Sequence, residues 1–214
     1  MFLHADHVEI GGFGISATDD LLYIEDFATV KQTVTAVTIE FDDDSVADHV
    51  DRCVDAGIVP ARCTRAWVHT HPGGSAQPSS TDEETFRRIF GKNDWALMII
   101  VARGGASYVR LAFTAGPGGH VEIPLRVDWE RFSRELLDNE GGFDALFSSW
   151  MDEYGRNIHR RPDLLFSNVD TLNPIGERGL PSHDTWDRLD DLYDQSLLED
   201  DFLSWVEAVE EVYP

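Results

Sequence analysis

The sequence predicts an α+β fold, in which strands form a sheet and helices pack against it. Within residues 1–128, short runs rich in Val, Ile and Thr are interspersed with two helical patterns. Residues 95–102 are continuously apolar, which is typical of a strand that is buried on both faces. After residue 128 the pattern changes to amphipathic helices. We therefore expect two parts, residues 1–128 and a helical, acidic extension over residues 129–214.

The N-terminal part begins with predicted strands. Residues 7–16 are H-V-E-I-G-G-F-G-I-S, a strand pattern whose glycines indicate a bulge or the close approach of another group. Residues 21–24 and 32–41 are predicted as further strands, the second because it is rich in β-branched residues. The three aspartates at 42–44 are expected to form a solvated turn, because no loop glycine or terminal glutamate stands at the offsets of a calcium loop.

Two helices and three more strands follow. The first helix is predicted to begin at Ser45 and to end at Gly57. A strand around Trp67 is followed by a second helix, capped by Ser80 or Thr81. Beyond it, the Gly-rich turns suggest an antiparallel meander of three strands, over residues 95–102, 108–113 and 121–127.

The extension carries apolar residues at helical spacing, with the strongest pattern at Phe143, Leu146, Phe147, Trp150, Met151 and Tyr154. Residues 160–179 are predicted to be a loop or linker. Residues 183–214 fit two short amphipathic helices with an acidic background. We expect their apolar side to pack on the rest of the chain; a second subunit or another protein is the alternative.

The charge excludes some classes of partner. The chain has 40 Asp and Glu against 17 Lys and Arg, a formal net charge of −23 and a sequence pI near 4.4. Phosphate backbones would be repelled, so no nucleic-acid partner is expected. No apolar stretch approaches the length of a membrane span, and the N-terminus lacks the pattern of a signal peptide. We therefore predict a cytoplasmic protein; its oligomeric state is left open.

The two cysteines, Cys53 and Cys63, are too few for a disulfide scaffold. A single bridge between them is conceivable, but Cys53 lies in an apolar helical stripe, which favours a buried free thiol. Neither cysteine is expected to have the spacing of a metal ligand. His49 on the same helix is expected to be a packed or exposed histidine and not a ligand.

A candidate metal site lies between residues 67 and 82. His69 and His71 alternate on a predicted strand, so their side chains share one face. Asp82, from the next helix, could supply a carboxylate; taken alone, it is more typical of a residue that complements the helix dipole. Two imidazoles and one carboxylate leave a fourth position open, which distinguishes a catalytic zinc from a structural one.

Two further residues turn a metal site into a hydrolytic one. Zinc lowers the pKa of a bound water to about 7, and amide hydrolysis then needs a base that is not itself a ligand. Glu9, just before the glycine-rich strand, is the candidate base. The tetrahedral intermediate also needs a hydrogen-bond donor, and the Ser79 hydroxyl is the candidate.

These residues follow a known signature. H-T-H-P, a spacer and S-S-T-D match H-x-H-x7-S-x-x-D, and the upstream E-I-G-G-F-G-I resembles the E-x-x-G segment of the same family. Over residues 1–128 the chain resembles the JAMM (MPN-domain) zinc metalloproteases, of a prokaryotic or phage type. The resemblance implies a deaminase-like α+β fold with one catalytic Zn²⁺. It also implies that His69, His71 and Asp82 are ligands, Glu9 the acid/base and Ser79 the oxyanion donor.

The resemblance also implies an activity. Characterised members are isopeptidases that release ubiquitin or ubiquitin-like proteins, so a zinc-dependent isopeptidase or endopeptidase acting after such a tail is expected. A non-catalytic MPN scaffold and a RadC-like hydrolase of unknown substrate are the alternatives. A nucleobase deaminase would need His/Cys-x-Glu and Pro-Cys-x-x-Cys, which the sequence lacks. The helix that usually precedes the glutamate strand has no counterpart in the eight residues before Glu9.

Overall fold

A six-stranded mixed sheet forms the centre of the protein in a computed structural model, which describes residues 7–138 and 142–161. In chain order the strands are β1 (Gly11–Ser16), β2 (Ile24–Thr29), β3 (Gln32–Val34), β4 (Ile39–Phe41), β5 (Ala66–His71), β6 (Trp95–Ala102), β7 (Ser107–Phe113), β8 (Gly119–Glu122) and β9 (Ile158–Arg160). The helices are α1 (Asp43–Asp55), α2 (Pro60–Cys63), α3 (Ser80–Ile89), α4 (Trp129–Asp138) and α5 (Gly142–Asn157).

The strand order of the main sheet is β2-β1-β5-β6-β7-β8. Only β5 and β6 run parallel within it, and the other neighbours are antiparallel. A parallel pair needs a crossover connection, and α3 lies in the connection between β5 and β6. A smaller sheet has the order β4-β3-β9, with β9 parallel to β3. Strands in a mixed sheet flanked by helices confirm the predicted α+β class.

Strand β6 lies in the core because apolar side chains cover both of its faces. Met98 and Ile100 belong to a cluster on one face that includes Phe13, Trp67, Phe86 and Phe90. Leu97 and Ile99 belong to another cluster with Ala66 and Val109. The continuous apolar run over residues 95–102 was therefore interpreted correctly, and β6 has the bounds that the sequence predicted.

Besides β1, which begins at Gly11 and not at residue 7, three predicted strands are shorter than expected or differently placed. Residues 32–41 form a hairpin of β3 and β4. The chain turns after Thr35, whose N–H donates to the Thr38 carbonyl at 3.0 Å, and Val37 in this turn is exposed. Strand β2 begins only at Ile24, since the Asp20 carboxylate holds a turn by accepting from the Leu22 N–H. Strand β8 ends at Glu122, two residues before Pro124, which has no N–H to donate.

Both helices begin earlier than predicted, because an aspartate or a serine that precedes the predicted cap is the actual N-cap. Helix α1 begins at Asp43 because Asp42 is its N-cap and accepts the Ser45 N–H at 2.8 Å. The Ser45 hydroxyl instead accepts the Lys31 N–H. Helix α3 is capped by Ser79, not by Ser80 or Thr81 as predicted. In each case a side-chain oxygen earlier in the chain already satisfies a free N–H of the first turn.

The predicted helices after residue 128 are confirmed as α4 and α5. Helix α5 is joined to β2, because the Glu153 carboxylate accepts the Thr29 N–H at 2.7 Å and Asn157 donates to the Thr29 carbonyl. None of the helices within residues 7–138 and 142–161 is long and apolar enough to cross a membrane. The predictions for residues 162–214 lie outside the described residues, and the division at residue 128 stays a prediction.

The glycines of β1 give a test of the fold. A Cβ built on Gly12 would lie 2.4 Å from the Ala28 carbonyl oxygen and 2.8 Å from the Phe27 ring. We expect Gly12→Ala to lower the free energy of unfolding by about 1–3 kcal/mol, because the backbone of β2 cannot move away without breaking its pairing. Gly74→Ala is the matched control, since a Cβ there meets nothing within 4 Å. Denaturant unfolding measures both, and equal stabilities would contradict the assigned β1–β2 packing.

Candidate metal centre

Strand β5 presents His69 and His71 to the same side of the sheet. They alternate with Thr70, and a strand turns successive side chains to opposite faces. His69 is fully buried and His71 is 9% exposed. The Trp67 ring stacks on the His69 ring with centroids 4.1 Å apart, which fixes the plane of that imidazole.

Helix α3 brings Asp82 to the two histidines through its N-terminal cap. The Ser79 hydroxyl accepts the Asp82 N–H at 3.1 Å, and the Asp82 carboxylate accepts the Ser79 N–H at 2.7 Å. This reciprocal capping box holds the Asp82 side chain in one orientation. Its Oδ1 lies 3.4 Å from His69 Nε2, and its Oδ2 lies 3.4 Å from His71 Nε2.

Glu9 reaches the same place from the residues just before β1. The Ile10 N–H donates to Thr70 Oγ1 at 3.0 Å, and the Thr70 N–H donates to the Ile10 carbonyl at 2.9 Å. The Glu9 N–H is held by the Thr35 carbonyl. As a result the buried Glu9 carboxylate lies 3.7 Å from His71 Nε2.

Ser79 lies at the edge of this group and is exposed. Its hydroxyl oxygen accepts a hydrogen bond from the helix, so its own hydrogen remains available to donate. The structure therefore brings Glu9, His69, His71 and Asp82 into one buried cluster and ties Ser79 to Asp82. All five residues predicted from the sequence lie at this site; their chemical roles stay predictions.

The pKa values follow from burial and mutual contact. Burial lowers the pKa of His69, whereas the contact with Asp82 raises that of His71. Burial alone would raise the pKa of Asp82, but the contacts with both histidines and with Ser79 hold it well below its usual range. Burial raises the pKa of Glu9 to about 7, with the nearby Asp82 acting in the same direction and His71 opposing. The cluster thus contains a neutral imidazole and a firmly ionised carboxylate.

Unpartnered nitrogen atoms show that the cluster fits a metal ion. His69 Nδ1 and Nε2 and His71 Nε2 are buried and make no hydrogen bond, although buried polar atoms nearly always have a partner. His71 Nδ1 lies 3.0 Å from the Ser75 carbonyl, so Nδ1 carries the proton and Nε2 presents its lone pair. One ligand atom from each of His69, His71 and Asp82 lies within 4.8 Å of the others. A cation that accepts the lone pairs of His69 Nε2 and His71 Nε2 would give these two atoms a partner.

The comparison with family models decides the relationship. Residues 14–114 match the family described as prokaryotic homologs of the JAB domain. This part of the chain is a JAB domain of the prokaryotic JAMM/MPN type. The matched residues include the two histidines, Ser79 and Asp82 of the JAB domain, and Glu9 lies just before them. No curated protein sequence matches the chain.

Sequence reasoning missed a residue that positions the helix turn carrying Asp82. Arg110 on β7 is buried and binds the Glu83 carboxylate through two hydrogen bonds of 2.7 and 2.8 Å. Its guanidinium also lies over the Phe86 ring. Because Glu83 follows Asp82 in the first turn of α3, Arg110 fixes that turn against the sheet. A single basic residue within the apolar strand S-Y-V-R-L-A-F was the available signal.

Metal content tests the centre directly. We expect His71→Ala to lower the bound metal by one ion per chain, because it removes an Nε2 that faces two carboxylates. His120→Ala is the control, since His120 is exposed on β8. Mass spectrometry of metals after dialysis against a weak chelator measures both, and equal metal contents would argue against the centre.

Proposed function

We propose that the protein is a zinc-dependent isopeptidase or endopeptidase. It hydrolyses the amide bond that follows the C-terminal tail of ubiquitin or a ubiquitin-like protein. The observation that supports it most is a second buried carboxylate, Glu9, 3.7 Å from His71 in a JAB domain that already holds a two-histidine, one-aspartate group. A site that only bound a metal would not need this extra acid.

The donor set suits zinc. Two imidazole nitrogens and one carboxylate oxygen are typical ligands of a catalytic zinc, which keeps a fourth position open. When bound in such a site, zinc lowers the pKa of a water to about 7 and polarises a carbonyl group. His69, His71 and Asp82 would hold it.

The contacts of the two carboxylates, Asp82 and Glu9, favour a different task for each. Each oxygen of Asp82 faces one histidine Nε2, so its carboxylate is used as a ligand. Glu9 comes from the residues just before β1, and the histidine that its carboxylate contacts is His71. Glu9 is therefore the residue that takes a proton from the attacking water and returns it to the leaving amine. The Ser79 hydroxyl donates to the oxygen of the tetrahedral intermediate.

The class of substrate and the cellular location rest on broader arguments. JAB domains are often metalloisopeptidases, and this supports a ubiquitin-like substrate. A net charge of −23 favours a basic protein partner over a nucleic acid. Both cysteines are free thiols, which is consistent with a reducing compartment and supports the proposal that the protein acts in the cytoplasm.

Replacement of the base should separate chemistry from metal binding. We expect Glu9→Gln to lower kcat by about 100- to 10,000-fold while the metal content stays unchanged, because an amide cannot accept the proton. The assay is cleavage of fusions placed after the tail of ubiquitin-like proteins. Glu84→Gln, an exposed position on α3, is the control. Cleavage that survives Glu9→Gln or a zinc chelator would refute the mechanism; metal-loaded protein that cleaves no fusion would favour the scaffold alternative.

Ser79 needs a substitution that spares the helix cap. Glycine at an N-cap costs only a few tenths of a kcal/mol relative to serine, whereas alanine costs about 1 kcal/mol. We expect Ser79→Gly to lower kcat by about 100- to 1,000-fold through loss of the oxyanion donor, with little change in melting temperature. Ser79→Ala should lower both. If Ser79→Gly retains full activity, the hydroxyl serves only as the cap.

A further inference from the structure

A second group of side chains that can bind a metal lies outside the group of Glu9, His69, His71 and Asp82, which we call the JAB centre. His49 and Cys53 are one turn apart on α1, so they lie on the same face of the helix. Cys63 is the last residue of α2. All three are buried, and one ligand atom from each lies within 4.8 Å of the others. The expectation that neither cysteine has metal-ligand spacing is thereby corrected, because Cys53 follows His49 by four residues.

The two thiols make only long contacts. Cys53 Sγ lies 3.8 Å from His49 Nε2, and Cys63 Sγ lies 3.7 Å from the Pro60 carbonyl oxygen. Both cysteines are free, which agrees with the prediction of buried thiols and argues against the bridge. Two soft thiols and one imidazole therefore converge in the interior, where His49 Nε2 is held by the Cys63 carbonyl and the thiols have only the long contacts above.

We propose that His49, Cys53 and Cys63 form a second metal site, which binds a thiophilic divalent cation of the zinc class. Two thiolates and a neutral imidazole would cancel the charge of such an ion, so the occupied site adds no net charge to the apolar interior. The Cys63 carbonyl oxygen, 3.1 Å from His49 Nε2, offers a fourth donor. Binding releases the two thiol protons to solvent, and a His49 proton on Nε2 moves to Nδ1.

The position of this site indicates a structural role. The His49 ring stacks on Phe13 with centroids 5.1 Å apart. Phe13 is paired with Trp67 across β1 and β5, and Trp67 stacks on the ligand His69. A metal at the second site would join α1 to α2 just before β5 begins, and so would stabilise the surface on which the JAB centre is built.

The cysteines make the test specific. The chain has only two, so any absorption from sulfur-to-cobalt charge transfer must come from Cys53 and Cys63. Full-length His71→Ala protein, in which the JAB centre is impaired, is reduced, stripped of metal and titrated with Co²⁺. We expect a near-ultraviolet charge-transfer band that saturates at one cobalt per chain and disappears when Zn²⁺ is added.

The control is Cys53→Ala in the same background, which should lose the band. Because a cysteine variant could fail to fold, the decisive result is the one for the protein with both cysteines intact and a native circular dichroism spectrum. Absence of the band in that protein overturns the proposal. So does an intact mass that shows a Cys53–Cys63 disulfide in metal-supplemented protein purified without reductant. Neither result bears on cleavage by the JAB centre, which the Glu9 and Ser79 variants test separately.

Discussion

The antiparallel register between β1 and β5 is the constraint on which the site depends. Gly11 is opposite His69, and continuing the same register by two residues places Glu9 opposite His71. A shift of one residue would turn Glu9 to the other face of the sheet. The register is fixed where the strands meet, by the two hydrogen bonds between Ile10 and Thr70. The Glu9 carboxylate and the two histidines can therefore converge because the paired strands hold them in register.

The second support of the site is a helix terminus that serves two purposes. Asp82 satisfies the Ser79 N–H as part of a capping box, and the same carboxylate faces both histidines. Taken alone, Asp82 fitted a dipole-complementing aspartate better, and only the family signature made it a predicted ligand; the geometry places the one side chain for both. The pairing of Arg110 with Glu83 then keeps this turn against the sheet.

Local patterns predicted the parts of the molecule that local chemistry determines. The buried strand β6 and the convergence of Glu9 with the spaced residues His69, His71 and Asp82 follow from periodicity and from the family signature. The hairpin of β3 and β4 was missed because a β-branched run continues through its turn, where Val37 is exposed. The group of His49, Cys53 and Cys63 was missed because its third member comes from another helix. A contact between two helices leaves no local pattern to detect, and the family signature that brought Glu9 to the histidines does not include these three residues.

The parallel pairing of β9 with β3 has a consequence for biosynthesis. Gln32 pairs with Ile158, so the smaller sheet cannot be complete until most of the described chain has left the ribosome. The Gln32 side chain holds both the N–H and the carbonyl of Gly11, and the turn after β3 holds the Glu9 N–H. The histidines and the aspartate are thus synthesised and can meet before the support of Glu9 is finished. A nascent chain would therefore bring His69, His71 and Asp82 together before the residues that support Glu9 are all in place.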